Sequence, residues 1–157
     1  SRGLGDVYKR QVIDTDRMSI TCVSNRINNP TNVNSAKLSV GDEHDAVYIT
    51  RVANLVNPSG SIKIYFSGYR PTGSEIKLLY RVRPVGSTDP IEKLGYEFFP
   101  TDTAKIPATS ERELFFEYVY EVSGLSFDQY QIKVVFVSPN QAYSPIIKDF
   151  RAIALAV

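Results

Sequence analysis

The residues best suited to chemistry in this chain are grouped around its single histidine. His44 lies among three acidic residues, Asp42, Glu43 and Asp45. Neighbouring residues of an extended chain point to opposite sides, so this run does not supply the converging ligands that a zinc site requires. Calcium needs only clustered oxygen atoms, and Asp42, Glu43 and Asp45 are therefore weak calcium candidates in what we expect to be a solvated loop.

The other carboxylates do not form a catalytic pair. Glu117 and Glu121 lie on one face of a predicted strand, about 13 Å apart at a rise of about 3.3 Å per residue, which exceeds the spacing in either class of glycosidase. Asp14 and Asp16, beside Arg17, suit turn formation and surface ion pairing. The sequence has neither a glycine-rich phosphate loop nor a serine nucleophile elbow. We therefore expect no catalytic residue, no metal and no cofactor, and no enzymatic activity.

Aromatic residues near predicted turns are the remaining candidates for a binding surface. Tyr69, Arg70, Tyr96 and Tyr143 fall in or beside turns, where an aromatic ring and hydrogen-bonding groups can stack on a sugar or anchor a protein interface. Ordinary packing at the edge of a sheet is the competing interpretation of each one. We therefore treat them as candidates for contact with a partner or a glycan.

Charge and hydropathy exclude several classes of partner. The chain has 18 basic and 17 acidic residues, and these are interspersed, so the basic stripe of a nucleic-acid-binding protein is missing. No stretch approaches the roughly 20 continuous apolar residues of a membrane span. We expect neither nucleic-acid binding nor membrane insertion.

The N-terminal part divides into two regions. Residues 1–11 are polar, lack periodicity and resemble the translated adapter read-through found in metagenomic assemblies, so we exclude them from fold reasoning as a non-native scar. Residues 17–24 alternate, with Met18, Ile20 and Cys22 on one face, which predicts a strand. Cys22 has no partner in the chain, and we interpret it as a buried structural thiol.

Residues 62–84 carry the clearest strand pattern. Two alternating runs flank a turn that contains Pro71 and Gly73, which predicts two tightly joined strands, each with one face on a core. Their inward residues are Ile62, Ile64 and Phe66, then Ile76, Leu78, Tyr80 and Val82; Lys63, Lys77, Arg81 and Arg83 point the other way.

The rest of the chain predicts further strands separated by two long loops. Strands are predicted at residues 46–56, 115–123, 130–138 and 144–157, the last with a bend or bulge at Lys148 and Asp149. Along residues 130–138, Gln131 and Lys133 face outward. The loops span residues 25–45 and 84–111, and an eighth strand is possible at residues 94–99, where Leu94, Tyr96, Phe98 and Phe99 are expected to fold over the core.

About seven antiparallel strands with two long crossovers indicate an all-β class. We predict an antiparallel β-sandwich of jelly-roll, galactose-binding-like topology with seven to eight strands, formed by a single domain at residues 12–157. A fibronectin-like sandwich is the alternative, which the absence of tryptophan and the length of both loops disfavour.

Four segments together resemble a known class of proteins. They are VIDTDRMSITCVSNRINNP (12–30), HDAVYITRVANL (44–55), SFDQYQIKVVF (126–136) and IIKDFRAIAL (146–155). They resemble the C-terminal part of virion structural proteins of contractile-tailed phages, particularly those of marine bacteria. The likeness spans most of the chain from Val12 onward and contains no chemical signature.

The resemblance implies a function in assembly. It suggests the C-terminal domain of a longer tail or baseplate protein that acts by contact with other tail subunits, located in the virion and, during assembly, in the host cytoplasm. It implies no catalytic residues. By analogy of fold alone, the alternative is a carbohydrate-binding module for attachment to the host surface.

Overall fold

The computed structural model describes residues 26–28, 33–100, 108, 109, 111 and 114–156. The described residues form eight strands and two short 3-10 helical turns, at Val33–Lys37 and Ile91–Lys93. The strands are β1 (Val47–Ile49), β2 (Ala53–Ser59), β3 (Ser61–Tyr69), β4 (Glu75–Pro84), β5 (Glu97–Phe98), β6 (Phe116–Val122), β7 (Phe127–Val137) and β8 (Ile146–Leu155).

The strands form two antiparallel sheets that pack face to face. One sheet has the order β1-β7-β4-β5, with β2 also paired to β7, and the other has the order β6-β3-β8. The predicted strand at residues 46–56 is therefore divided into β1 and β2, and Thr50 bridges the gap. Its backbone N–H donates to the Ile132 carbonyl at 2.9 Å, and its Oγ1 accepts from the Ile132 N–H at 3.0 Å.

The two strands predicted within residues 62–84 are present and are joined by a short turn, but they do not pair with each other as a hairpin. β3 pairs with β6 and β8, whereas β4 pairs with β7 and β5, so the chain crosses from one sheet to the other between them. The turn itself was predicted correctly. The N–H and the hydroxyl of Ser74 both donate to the Pro71 carbonyl, and Gly73 takes a φ of 81°, a conformation that favours glycine.

The main core lies between the two sheets and consists of the inward residues of the alternating strands. Alternation along β3 and β6 places every second side chain in this layer, as the sequence predicted. The rings of Phe66 and Tyr118 stack at 4.9 Å, and a Cβ on Gly68 would lie 2.8 Å from the Tyr118 ring, so glycine is required there. The fully buried members include Ile62, Ile64, Phe66, Tyr118, Phe127 and Ile132.

Most predicted strands are confirmed with small shifts at their ends. β5 confirms the possible eighth strand, and Phe99 beside it reaches the main core while Tyr96 is buried elsewhere. The bulge predicted near Asp149 is present, because Asp149 has a φ of 54° and the pairing of β8 with β3 shifts register between Tyr65 and Ser67. The predicted strand at residues 17–24, with Cys22, and the pair Asp14 and Asp16 lie outside the described residues.

The architecture is an all-β antiparallel sandwich, as the sequence predicted. The two long edges of the sandwich differ in the strands that form them. On one side β5 and β6 end the two sheets, and on the other β1 and β2 lie opposite β8. The helical turn at Val33–Lys37 lies outside the sandwich and covers part of one sheet, which positions the groups described below.

Candidate functional site

Three of the four predicted contact residues lie at one end of the sandwich. The β3–β4 turn and the β7–β8 turn meet there and enclose a groove of about 370 Å³. Ser138 holds the second turn, since its hydroxyl contacts the carbonyls of Asn140 and Tyr143, each at 2.9 Å. We call this the loop-end groove; its lining includes Tyr69, Pro71, Thr72, Thr109, Asn140 and Tyr143.

The three candidates differ in how far they reach solvent. Tyr143 is 58% exposed, whereas Tyr69 is only 5% exposed and packs against Phe115. Arg70 is half-buried, and its guanidinium donates to the Ser74 carbonyl at 3.5 Å. Tyr143 is therefore the candidate whose ring is exposed in the loop-end groove.

Tyr96, the fourth candidate, lies on a different part of the molecule and is buried at 3% exposure. It covers the outward side of the sheet that contains β4 and β7, and its hydroxyl donates to Gln131 Oε1 at 3.1 Å. The Arg81 guanidinium lies 4.5 Å from its ring centroid and Lys133 Nζ lies 4.9 Å away. Arg81 and Lys133 both lie over the Tyr96 ring, so the ring is covered and Tyr96 is a packing residue.

A second apolar cluster surrounds Tyr96 on this outward side. It consists of Ala36, Leu79, Tyr96 and Val135, with Val47, Phe98 and Val137 packed against it. Ala36 comes from the turn at Val33–Lys37, and Lys37 O accepts a bond from the Tyr96 N–H at 2.7 Å. We call this outer surface of the β1-β7-β4-β5 sheet the covered face.

Arg81 and Gln131 connect the segment at residues 92–94 with the junction between β1 and β2. Nε and Nη2 of Arg81 donate to Gln131 Oε1 at 2.8 and 2.5 Å. Its Nη1 donates to the carbonyls of Glu92 and Leu94, each at 3.2 Å, and the Gln131 amide donates to the Thr50 carbonyl at 2.6 Å. Arg81 points outward as predicted, but only 8% of it is exposed.

Lys133 anchors the segment that contains the predicted calcium ligands. It was predicted to face outward, and it does, yet it is 2% exposed because the loop covers it. Its Nζ donates to the Ala36 carbonyl at 2.9 Å and pairs with the Asp42 carboxylate. Partial burial raises the pKa of Asp42, but hydrogen bonds from Lys133 and His44 outweigh it, so the pKa lies below its ordinary value.

His44, Ser35 and Asp42 have the composition of a catalytic triad without its geometry. Asp42 lies 2.6 Å from His44 Nδ1, and the Ser35 hydroxyl lies 3.4 Å from that same nitrogen. A triad requires the serine at Nε2, where the imidazole can accept its proton. His44 Nε2 is buried without a hydrogen-bond partner in the described chain. The three residues hold the covering loop in place.

The calcium candidates do not converge on one point. The Asp42 carboxylate is engaged by Lys133 and His44, Glu43 is exposed, and the Asp45 N–H donates to Asn28 Oδ1 at 2.7 Å. Within the described ranges, histidine, cysteine and acidic side chains form no group of three that could hold a metal ion. Glu117 and Glu121 are exposed along β6, and Glu121 pairs with Lys63 at 3.1 Å.

Among the residues that the structure describes, no segment covers the outer surface of the β6-β3-β8 sheet. Val119, Ile153 and Leu155 point outward there and are 40, 44 and 41% exposed. Tyr65 lies directly between Val119 and Arg151 across the sheet. The described residues contain two buried apolar clusters, and neither is on this side. We call this surface the bare face.

An apolar groove opens along the seam where β1 and β8 face each other. It measures about 410 Å³ and is lined by Tyr48, Val134, Phe136, Pro145, Ile146, Ile147 and Phe150. The rings of Tyr48 and Phe150 meet edge to face at 6.3 Å, which links the two sheets across the seam. We call this the seam groove.

Sequence reasoning missed the buried cations of the covered face because alternation assigns outward residues to solvent. A signal was available in the apolar residues Leu79 and Val135, which share the outward faces of β4 and β7 with Arg81 and Lys133. A strand that is apolar on both faces is typical of a sheet covered on both sides.

None of the helical segments in the described ranges has the length and apolar character that a membrane-crossing helix requires. Comparison of the chain with models of protein families, with curated proteins and with solved structures finds no match in any of the three.

Proposed function

We propose that this domain is a non-enzymatic structural module of a phage virion, a tail or baseplate component that acts through contacts between subunits. The observation that carries the proposal is the bare face, where Val119, Ile153 and Leu155 are exposed on a regular sheet. Exposed apolar side chains grouped on one surface are typical of protein interaction sites.

Polar and charged side chains are interspersed with the apolar ones on the bare face. The ion pair of Lys63 with Glu121 lies beside Ile153, and Lys63 and Arg151 both lie within 6 Å of the Tyr65 ring centroid, at 5.8 and 5.9 Å. Protein interfaces combine apolar and polar contacts and are enriched in tyrosine and arginine. The surface therefore suits a rigid protein partner better than a small molecule.

The type of assembly follows from the resemblance of residues 12–30, 44–55, 126–136 and 146–155 to virion structural proteins of contractile-tailed phages. A sandwich with one bare face can be positioned in a tail or baseplate by burying that face against a neighbouring subunit. Its location would then be the virion, after assembly in the host cytoplasm.

Cross-linking of the full-length protein with the tail components encoded beside it tests the proposal. We expect cross-links from the bare face, and we expect Val119→Asp and Ile153→Asp to reduce the bound fraction at least tenfold. Val56→Asp is the matched control, because Val56 is 98% exposed on the other sheet. A stable monomer with no affinity for any virion component would overturn the proposal, as would equal binding by all three variants.

A second candidate function is glycan binding for attachment to the host, which the loop-end groove favours. Tyr143 presents an exposed ring beside Thr72, Thr109 and Asn140, and an aromatic ring with nearby hydrogen-bonding groups is suited to stacking on a sugar.

Glycan-array binding by the wild-type chain, lost in Tyr143→Ala and kept in Tyr48→Ala, would support glycan binding. Tyr48 is the control because it is 52% exposed outside the loop-end groove. Tyr69 and Tyr96 are unsuitable test positions, since they are buried and their loss would perturb folding. An array on which the wild-type chain binds no glycan would exclude this second function for the glycans tested.

A further inference from the structure

The charged side chains on the two outer strands of the bare face are separated by sign. Glu117 and Glu121 point outward from β6, and Lys148 and Arg151 point outward from β8. Asp149 lies in the bulge of β8, where the pairing with β3 is interrupted. Because β3 lies between these two strands, the face is acidic along one side and basic along the other.

Glu117 and Arg151 are the two charges best placed to meet a partner. Both are exposed, and the ion pairs found within the described residues include neither of them. Lys148 is already in contact with an aromatic ring, since its Nζ lies 3.7 Å from the Phe115 ring centroid. A partner that complements the bare face must therefore bring a positive group to β6 and a negative group to β8.

The outward side chains of the three strands align in rows across the sheet. One row is Glu117, Ser67 and Lys148, the next is Val119, Tyr65 and Arg151, and the third is Glu121, Lys63 and Ile153. Tyr65 is at the centre of this pattern. A rotation of half a turn about a line along β3 exchanges the acidic strand with the basic strand and keeps every row in place.

We propose that the bare face binds the same face of a second copy of this chain, with the two-fold axis parallel to β3 and close to Tyr65. The inference rests on the proposed use of the bare face in subunit contact and names the subunit. Each β6 then lies over β8 of the other copy. Arg151 of the second copy lies over Val119, between Glu117 and Glu121, and the symmetry repeats this contact on the other side of the axis.

Charge distinguishes this orientation from the other symmetric one. A two-fold axis across the strands would also keep the strand directions of the two sheets aligned, as packed sheets require. It would place each β6 over β6 of the second copy, with Glu117 over Glu121. Like charges that face each other across an interface are unfavourable, so the axis parallel to β3 is the one that the side chains favour.

The dimensions of the bare face indicate a weak contact. Three strands about 4.8 Å apart and the nine residues of β3 give a surface of about 14 by 30 Å, or about 400 Å² on each copy. This lies at the small end of specific interfaces, which is typical of transient association. Many copies held in one assembly would strengthen such a contact by raising the effective concentration.

An exchange of charges in the full chain tests the proposal. Glu117→Arg and Arg151→Glu each place like charges at both symmetric contacts of the homodimer. In an equimolar mixture of the two variants, the mixed dimer has opposite charges at both contacts again. Sedimentation of the wild-type chain, each variant and the mixture at about 10 µM to 1 mM covers the range of weak dissociation constants.

We expect the wild-type chain to self-associate, each variant to do so at least tenfold more weakly, and the mixture to recover to within about threefold of the wild type. Glu92→Arg and Arg51→Glu are the matched controls, because both residues are exposed and lie outside the bare face. These controls should associate like the wild type. All four substitutions are at exposed positions, so melting temperatures should be unchanged.

A wild-type chain that remains monomeric over the whole range would overturn the second copy as the partner. Self-association that neither variant weakens, or weakened association that the mixture does not restore, would overturn the contact of β6 with β8. Cross-linking to the other tail components separates these failures from failure of the proposed function. Cross-links from the bare face to a different tail protein, with no self-association, would retain subunit contact and assign the face to that protein.

Discussion

The two outer surfaces of the sandwich show how one alternating pattern produces opposite environments. On the covered face, the turn at Val33–Lys37 and the segment around Tyr96 bury Leu79 completely. On the bare face, Ile153 also points outward, from β8 at the end of its sheet, and is 44% exposed. The covered face owes its burial to segments distant in sequence, since Ala36 and Tyr96 pack on Leu79.

Two lysines show the same difference in exposure between the two faces for charged side chains. Lys133 and Lys63 both point outward from central strands, yet the Lys133 side chain is 2% exposed and that of Lys63 is 30% exposed. Each has an acidic partner, Asp42 and Glu121 respectively. Charge pairs on an exposed surface contribute about 0–1 kcal/mol, whereas breaking a buried pair is much more costly. The covered face therefore contributes to stability, whereas the charged pair of the bare face contributes little.

The largest expected effect is the loss of an apolar side chain under the cover. Leu79→Ala should lower the free energy of unfolding by about 3–4 kcal/mol, since a fully buried leucine leaves a cavity. Ile153→Ala on the bare face should cost less than about 1 kcal/mol. Urea denaturation of both variants measures the contrast, and equal costs would mean that the covered face is not a second core.

Removal of the buried lysine should have the next largest effect. Lys133→Ala takes the cation away from Asp42 and the donor away from the Ala36 carbonyl, and we expect a loss of about 3 kcal/mol. Lys77→Ala is the matched control, because Lys77 also points outward, on the adjacent β4, but pairs with the half-exposed Glu75. Its loss should be below about 1 kcal/mol, and similar melting temperatures for the two variants would contradict the comparison.

The loss of stability at low pH should depend on the same contact between Lys133 and Asp42, and this effect should be smaller. The folded-state pKa of Asp42 lies below its ordinary value of 3.8, so its contribution is complete above that pH and is lost as the pH falls through the folded value. Asp42→Asn should weaken the dependence of unfolding free energy on pH between about 5 and 2. An unchanged dependence in this variant would show that Lys133 and His44 do not stabilise the carboxylate.

The smallest effect on stability is expected on the bare face. Val119→Thr and Ile153→Thr should change the unfolding free energy by no more than about 0.5 kcal/mol, as is usual for exposed positions. Thermal denaturation of the isolated chain provides the measurement. A larger loss would indicate that this surface is already covered within the chain and would weaken the proposed role in subunit contact.

Several features of the fold could be predicted from the sequence because they depend on neighbouring residues. Alternation identified the inward residues of β3, such as Ile64 and Phe66, and the proline and glycine of residues 71–73 marked a turn. The bulge at Asp149 was also predictable, since charged residues interrupt an apolar strand there. The binding candidates were less predictable, because the exposure of Tyr69, Tyr96 and Tyr143 depends on loops that meet only in the folded chain.

The sequence by itself determined the strand class, the main core and the face on which each strand side chain lies, because a period of two requires only local geometry. Tertiary structure decided that β3 and β4 belong to different sheets, since the same turn can join strands within a sheet or between sheets. It also decided that Lys133 and Arg81 are buried while Ile153 and Leu155 are exposed. Solvent exposure depends on what packs above a face, and those residues come from distant parts of the chain.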